Sequence, residues 1–345
     1  MHEPEVVAVV PLTRRRWLAA IALSIALAAC APMSGAPPVA DPLSSWNEGA
    51  AKQRIVAFVK AVSTEGSKDH VAPAERIAVF DNDGALWLEY PMYTQFRFVF
   101  DRIKALAPQH PQWQDQEPFR SVLADDMKGV MASGEKGLVE LLLAAQSGTD
   151  IDQFGRAVND WLAKTQDPRF KRGYDTLTYQ PMLELLRYLR AHGFRTYISS
   201  GGSVEFMRPF TERVYGIPPE QVVGTRQKLL YEVKDGKGVL LMQPQIDHVN
   251  DGAGKPAGIE TLIGRRPIAA FGNSDGDLAM LQYTTTGQGL RLGMIVHHDD
   301  AVREYAYDRE SHVGRLDKGL DQYRAAGWTL ISMKNDWKVV FASVK

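Results

Sequence analysis

Apolar positions along the chain fall into two periods. From Asn47 to Val62 they recur three and four residues apart, at Ile55, Phe58, Val59 and Val62, which places them on one face of a helix. Arg76-Ile77-Ala78-Val79-Phe80 is instead a short, nearly continuous apolar run that stops at Asp81, the form of a strand buried in a parallel sheet. Residues 91–170 hold helix-like segments, among them Gly137 to Gln146 with Leu138, Leu141 and Leu142, and no convincing strand. They predict a mainly helical insertion. Met182, Leu185, Leu186 and Leu189 mark one face of a further helix that stops at Gly193, a usual C-terminal cap. Phe194 to Ser199, Pro267 to Phe271 and Leu290 to Val296 read as three more core strands. Lys228 to Val233 and Val239 to Met242 flank Lys234-Asp235-Gly236-Lys237-Gly238, a hairpin because Asp-Gly favours the tight turn. Strands alternating with helices predict an α/β fold, a doubly wound parallel sheet, with its ligand site at the carboxyl ends of the strands.

The N-terminus follows different rules. Arg14, Arg15 and Arg16 precede an apolar run from Trp17 to Ala29, too short for an ordinary spanning helix and fitting the core of a signal peptide. The run ends at Leu27-Ala28-Ala29-Cys30, and Cys30 is the only cysteine. This box resembles a bacterial lipoprotein signal, which implies cleavage before Cys30, lipid attachment to it, and an exported periplasmic or cell-envelope protein held at a membrane by its N-terminal lipid. The alternative is a plain secretory signal with an incidental cysteine. Thr13 to Leu18 also looks like a twin-arginine export signal. Residues 31–45 are rich in Pro, Ala and Ser and read as a flexible spacer. The expected organisation is a signal peptide at 1–29, a lipid-anchored linker at 30–45, an α/β core at 46–90 and 171–345, and a helical cap at 91–170.

Composition narrows the function. The 345 residues are 45% hydrophobic and 23% charged, ordinary for a folded enzyme. A formal net charge of -1 argues against a nucleic-acid partner, whose phosphates demand many Lys and Arg contacts. A single cysteine excludes an intrachain disulfide.

Three polar clusters follow predicted strands: Asp81-Asn82-Asp83-Gly84, Ser200-Gly201-Gly202, and Gly272-Asn273-Ser274-Asp275-Gly276-Asp277. Lys255 opens a probable helix. Two carboxylates two residues apart at a strand end reach one locus, where one can attack phosphorus while the other passes a proton to the leaving alcohol. Such a pair also suits Mg2+, which prefers one or two carboxylates plus phosphate oxygens. A lysine and a serine hydroxyl would neutralise and hydrogen-bond the transferring phosphoryl group.

From roughly Arg76 to Val296 this layout resembles the haloacid dehalogenase superfamily, in particular its phosphoserine-phosphatase-like phosphatases with a helical cap after the first motif. The resemblance implies that Asp81 is the nucleophile, that Asp83 is the general acid and then base, and that Ser200, Gly201 and Lys255 bind phosphate. It implies a Mg2+ site made from Asp81, the Asp83 backbone carbonyl and the fourth motif, here Asn273 and Asp277. Two positions depart from the pattern: Ala85 stands where Thr or Val is usual, and Asn273 where a metal-binding acid is usual. An amide oxygen ligates Mg2+ without charge, so weaker metal binding or help from Asp275 or Asp277 is expected. Trp87, Glu89, Tyr90 and Tyr93 stand where the cap would begin, and Glu89 and Tyr93 are candidate substrate contacts; the aromatics alternatively pack the hinge.

Other polar runs read as structural. His297-His298-Asp299-Asp300 suits a solvated strand end opening a helix. Asp247, His248 and Asp251 suit a polar loop, and Asp125-Asp126 a helix cap. The leading function is Mg2+-dependent hydrolysis of a small phosphomonoester. The alternative is a non-catalytic envelope lipoprotein that keeps this fold for binding or assembly.

Overall fold

The strands Ile77–Phe80 (β1), Arg195–Ser203 (β2), Val222–Lys234 (β3), Lys237–His248 (β4), Ala269–Gly272 (β5), Leu292–His297 (β6) and Thr329–Ser332 (β7) form one sheet in the order β4-β3-β2-β1-β5-β6-β7. These and all further features come from a computed structural model that describes residues 41–342; the expected signal peptide and Cys30 lie outside them. Every residue of β1 is fully buried, because β2 and β5 flank it in parallel and helices cover both faces. All pairings are parallel except β3 with β4, which runs antiparallel at the edge. The chain winds outward through β2 and β3, then returns past β1 to lay down β5, β6 and β7. This is the doubly wound α/β sheet expected, and its order reverses at β1 and β5, where a crevice opens at the strand ends.

Helices α1 (Ala50–Ser63), α2 (Thr94–Leu106), α3 (Phe119–Leu123), α4 (Met127–Ala132), α5 (Gly134–Gln146), α6 (Ile151–Lys164) and α7 (Gln180–Ala191) precede β2, and five of them lie in the expected helical insertion. The remainder are α8 (Val204–Tyr215), α9 (Gly254–Ile263), α10 (Leu278–Thr285), α11 (Lys318–Gln322) and α12 (Met333–Asp336). Asp126 caps α4 by accepting from Gly129 N at 3.1 Å. Among the described residues no helix is long and apolar enough to cross a membrane.

The insertion shares one apolar core with the sheet. Phe98 of α2 meets Phe154 of α6 edge-on at 5.5 Å and Phe206 of α8 at the same distance. Gly148 N donates to Met242 O and Met242 N to Thr149 O, tying the insertion to β4. Phe154 is fully buried at this junction. Phe154→Ala is therefore expected to cost about 3–5 kcal/mol, read as a lower urea midpoint with an unchanged slope.

Three expectations change. Asp41–Ser45 is packed, not part of a flexible spacer: Leu43 is fully buried, and Ser45 donates through N and Oγ to Glu184 at 2.8 Å each. A lone leucine among Pro, Ala and Ser carries no periodicity, so its burial was invisible. β2 runs on through Ser200, Gly201 and Gly202, with a register shift against β3 between Ser199 and Ser203. The hairpin is longer than read, because β3 starts at Val222 and pairs with β2 as a core strand before Gly224-Thr225-Arg226-Gln227 breaks its apolar run. Its turn is as expected, with positive φ at Asp235 (52) and Gly236 (74), the two-residue form that Asp-Gly favours.

Candidate active site

Asp81 leaves the carboxyl end of β1 with its N–H donating to Phe271 O of β5 at 2.8 Å, so the nucleophile candidate is pinned at the switch point. The chain then turns at Gly84, whose φ is 76. A Cβ there would collide with the side chains of Asn273 and Glu89, so the loop can close only over glycine.

Lys255 lies in the first turn of α9, almost wholly buried. Its Nζ stands 2.8 Å from Asp81 Oδ1 and 2.5 Å from Asp277 Oδ1. Burial opposes its charge, but Asp277 and Asp81 outweigh that and raise the ammonium above its ordinary value. Burial pushes Asp81 up to about 8, helped by Asp277 and opposed by Lys255. Asp83 is also raised, chiefly by burial, although Trp87 Nε1 donates to its Oδ1 at 2.8 Å and favours the charged form. Asp83 therefore holds its proton to higher pH than an ordinary carboxyl, the direction that suits a general acid.

Asp277 is fully buried. Its Oδ2 accepts from Asn273 N at 2.9 Å and Ser274 N at 3.0 Å, while Oδ1 takes Lys255. Asp277 thus holds the lysine through one oxygen and the turn of its own loop through the other. Asp275 is likewise committed, accepting from Asp317 N, Lys318 N and Gly319 N at 2.9–3.1 Å.

Asn273 presents the opposite case. Its Nδ2 donates to Glu89 Oε1 at 2.7 Å, yet its buried Oδ1 meets no donor. A buried carbonyl oxygen without a partner is costly, and a hard cation would satisfy it. Among the described residues no three His, Cys, Asp or Glu side chains group as a metal cage. A divalent ion here would take mixed oxygens, from Asp81, the Asp83 main chain and Asn273.

Asp81, Asp83, Glu89, Tyr93, Ser200 and Lys255 open onto one cavity of about 450 Å³. Ser200 Oγ accepts from Gly202 N at 3.1 Å, and Asn250 Nδ2 donates to Ser200 O at 3.0 Å, which fixes that strand end. Gly201 borders the cavity beside Asp251. The preceding serine, Ser199, is fully buried and accepts from Asn250 Nδ2 at 3.3 Å. Tyr93 accepts from Gly314 N at 3.0 Å. Glu89 is only 2% exposed and is held by Asn273 and Tyr307, whose hydroxyl donates to Oε1 at 2.8 Å. Phe96, Leu138, Val139 and Leu142 give the cavity an apolar roof.

Several supports escaped the sequence. His298, expected at a solvated strand end, is buried, 2.9 Å from Gly84 O through Nε2 and stacked on Tyr307 at 4.5 Å. Asp299 and Asp300 do not open a helix; they hold Ser332 with Lys334 N and Arg303 respectively. The Tyr307 to Glu89 contact joins positions 218 residues apart, and no local pattern encodes it.

Solved structures similar to the chain include a protein with unknown function from Bordetella pertussis Tohama I, 13% identical, covering 74% of this chain and 98% of that one with a TM-score of 0.47. A phosphoserine phosphohydrolase-like protein from Francisella tularensis subsp. tularensis SCHU S4 is 16% identical, covering 66% and 89% with a TM-score of 0.37. A probable phosphoserine phosphatase from Vibrio cholerae is 16% identical, covering 67% and 58% with a TM-score of 0.34. Among curated proteins no sequence match is found. The family model of the haloacid dehalogenase-like hydrolases matches residues 78–282, from the middle of β1 into α10. That stretch spans the Asp81 loop, the Ser200 strand, Lys255 and the Asn273 loop, and the chain belongs to the haloacid dehalogenase-like hydrolase family.

Proposed function

We propose that the protein hydrolyses a small phosphomonoester through a phosphoaspartate on Asp81, with Mg2+ as cofactor, as in phosphatases of the phosphoserine-phosphatase type. The observation that carries this reading is the Lys255 ammonium shared between Asp81 and Asp277 in a cavity that also holds Asp83 and Ser200.

An Asp81 carboxylate oxygen attacks phosphorus as the bond to the leaving oxygen breaks, and Asp83 gives its proton to that oxygen. Asp83 then takes a proton from water, which attacks the phosphoaspartate, frees inorganic phosphate and restores Asp81. Lys255, the Ser200 hydroxyl and the Gly201 amide hold the phosphoryl oxygens during transfer. Asp81, the Asp83 carbonyl and Asn273 would hold Mg2+, which when bound would neutralise charge on those oxygens. Glu89 and Tyr93 flank the leaving-group side, and the apolar roof favours an alcohol with an apolar portion.

The test uses a fragment starting at Asp41, since Leu43 and Ser45 belong to the packed core. Phosphate release from an aryl phosphate should require Mg2+, stop with a chelator and vanish in Asp81→Asn. Equal release by wild type and variant would remove the enzyme reading and leave a binding or assembly role for the fold.

We further propose an exported, membrane-anchored lipoprotein, supported by the Arg14 to Cys30 pattern. Cys30→Ser should move the full chain from the membrane fraction to the soluble fraction on cell fractionation. Unchanged membrane retention would exclude the lipid anchor.

A further inference from the structure

Gln95 stands in the first turn of α2, where the insertion meets the end of β2, and is only 6% exposed. Its Oε1 accepts from Ser203 N at 2.9 Å. A main-chain N–H can only donate, so the carbonyl end of the amide must face Ser203 and the Nε2 end must face away. That nitrogen is buried and meets no acceptor. Tying α2 to β2 needs the oxygen alone, and a buried donor left unpaired is costly.

The unpaired nitrogen belongs to a wall of the cavity, which Gln95 lines together with Asp83 and Ser200. A Cβ at Gly202 would stand 3.1 Å from Gln95 Oε1, 3.5 Å from Ser200 Oγ and 3.7 Å from Asp83 Oδ2, so the amide, the serine and the acid surround one glycine. Among the described residues that line the cavity, no other side chain has a buried polar atom without a partner. The lysine and the arginine of the cavity are already paired with acids, Lys255 with Asp81 and Asp277 and Arg315 with Asp317. An amide donor beside them suits an uncharged acceptor.

We infer that Gln95 is a specificity-determining residue whose Nε2 donates to an uncharged oxygen on the leaving alcohol. The inference rests on the phosphatase reading, in which Asp83 gives its proton to the leaving oxygen, so that a donor beside Asp83 faces the alcohol. The substrate class narrows to phosphomonoesters of alcohols that carry an ether, hydroxyl or carbonyl oxygen close to the ester carbon. Apolar walls with one or two placed polar groups are the usual means of choosing such a ligand.

The experiment measures kcat/KM of the full chain, in detergent with Mg2+, on 2-methoxyethyl phosphate and butyl phosphate, with phenyl phosphate as the reference. The two alkyl esters match in length and differ by an ether oxygen in place of a methylene. Apolar walls alone would favour the butyl ester. Wild type should instead prefer the methoxyethyl ester by at least about 10-fold, because a site built around a donor rejects an analogue that leaves it unpaired. Gln95→Met should abolish that preference, whereas a purely structural role would lower both esters together and keep their ratio. Equal rates or a butyl preference in wild type overturns the inference, as does a methoxyethyl preference that survives in Gln95→Met. Should Gln95→Met not fold, Gln95→Asn is read in the same way, since its amide is a methylene too short to serve both Ser203 N and the substrate. Turnover of phenyl phosphate without the predicted preference removes the inference alone. No phosphate release from any of the three esters by wild type removes the phosphatase reading and the inference with it.

Discussion

Asp81→Asn is expected to lower the rate of phosphate release by at least about 10^4, the scale on which loss of a covalent nucleophile is felt. The amide keeps the shape of the carboxylate but cannot attack phosphorus to form an acyl phosphate. The amide matches the carboxylate in size, and Lys255 keeps Asp277 as its ion-pair partner, so the fold should survive the substitution. Steady-state phosphate release with a thermal unfolding scan checks both halves. A variant that folds and retains a tenth of the activity would reassign the nucleophile.

Lys255→Met is the second large effect and acts on stability as well as rate. The ammonium stands 2.8 Å from Asp81 and 2.5 Å from Asp277 in a fully buried setting. Removing one partner of a buried ion network leaves the others uncompensated, at about 3–5 kcal/mol. The deficit should depend on pH in a defined direction. Asp81 already has its carboxyl raised from an ordinary 3.8 to about 8 with the lysine present, and loss of the lysine raises it further. A raised carboxyl favours the folded state below its unfolded value and loses that advantage as pH climbs through the folded value. Denaturant unfolding of Lys255→Met should therefore show a stability that falls from about pH 4 to beyond about pH 8, over a wider range than wild type. Adding Asp277→Asn should restore part of the stability and none of the activity. Wild-type stability in Lys255→Met would show that the buried pair is not an ion network.

The chemistry was legible where it depended on residue type at short spacing. Asp81 and Asp83 two residues apart after an apolar run, a serine before two glycines and the Asn273 to Asp277 loop all announce themselves locally. Misreadings arose where a side chain's role depended on a distant partner. Ser45 reads as part of a flexible spacer, but Glu184, 139 residues away, accepts from both its N–H and its hydroxyl. His298 sits in a polar run typical of a surface, yet Gly84 O and the Tyr307 ring enclose it. Leu43 was hidden in a Pro-rich segment because a single apolar residue has no period to detect.

By itself the sequence determined the α/β class, the buried strand from Ile77 to Phe80 and the loops that bear acids, since burial of continuous apolar strands and the turn preferences of glycine are local properties of the chain. Only the tertiary structure decided which groups each of those acids meets. Lys255 reaches across from α9 to bridge Asp81 and Asp277, and Glu89 meets Asn273 over 184 positions of sequence. The reason is electrostatic: in a buried site the state of each carboxyl depends on which charges and donors lie within a few ångströms, and folding alone brings those neighbours together.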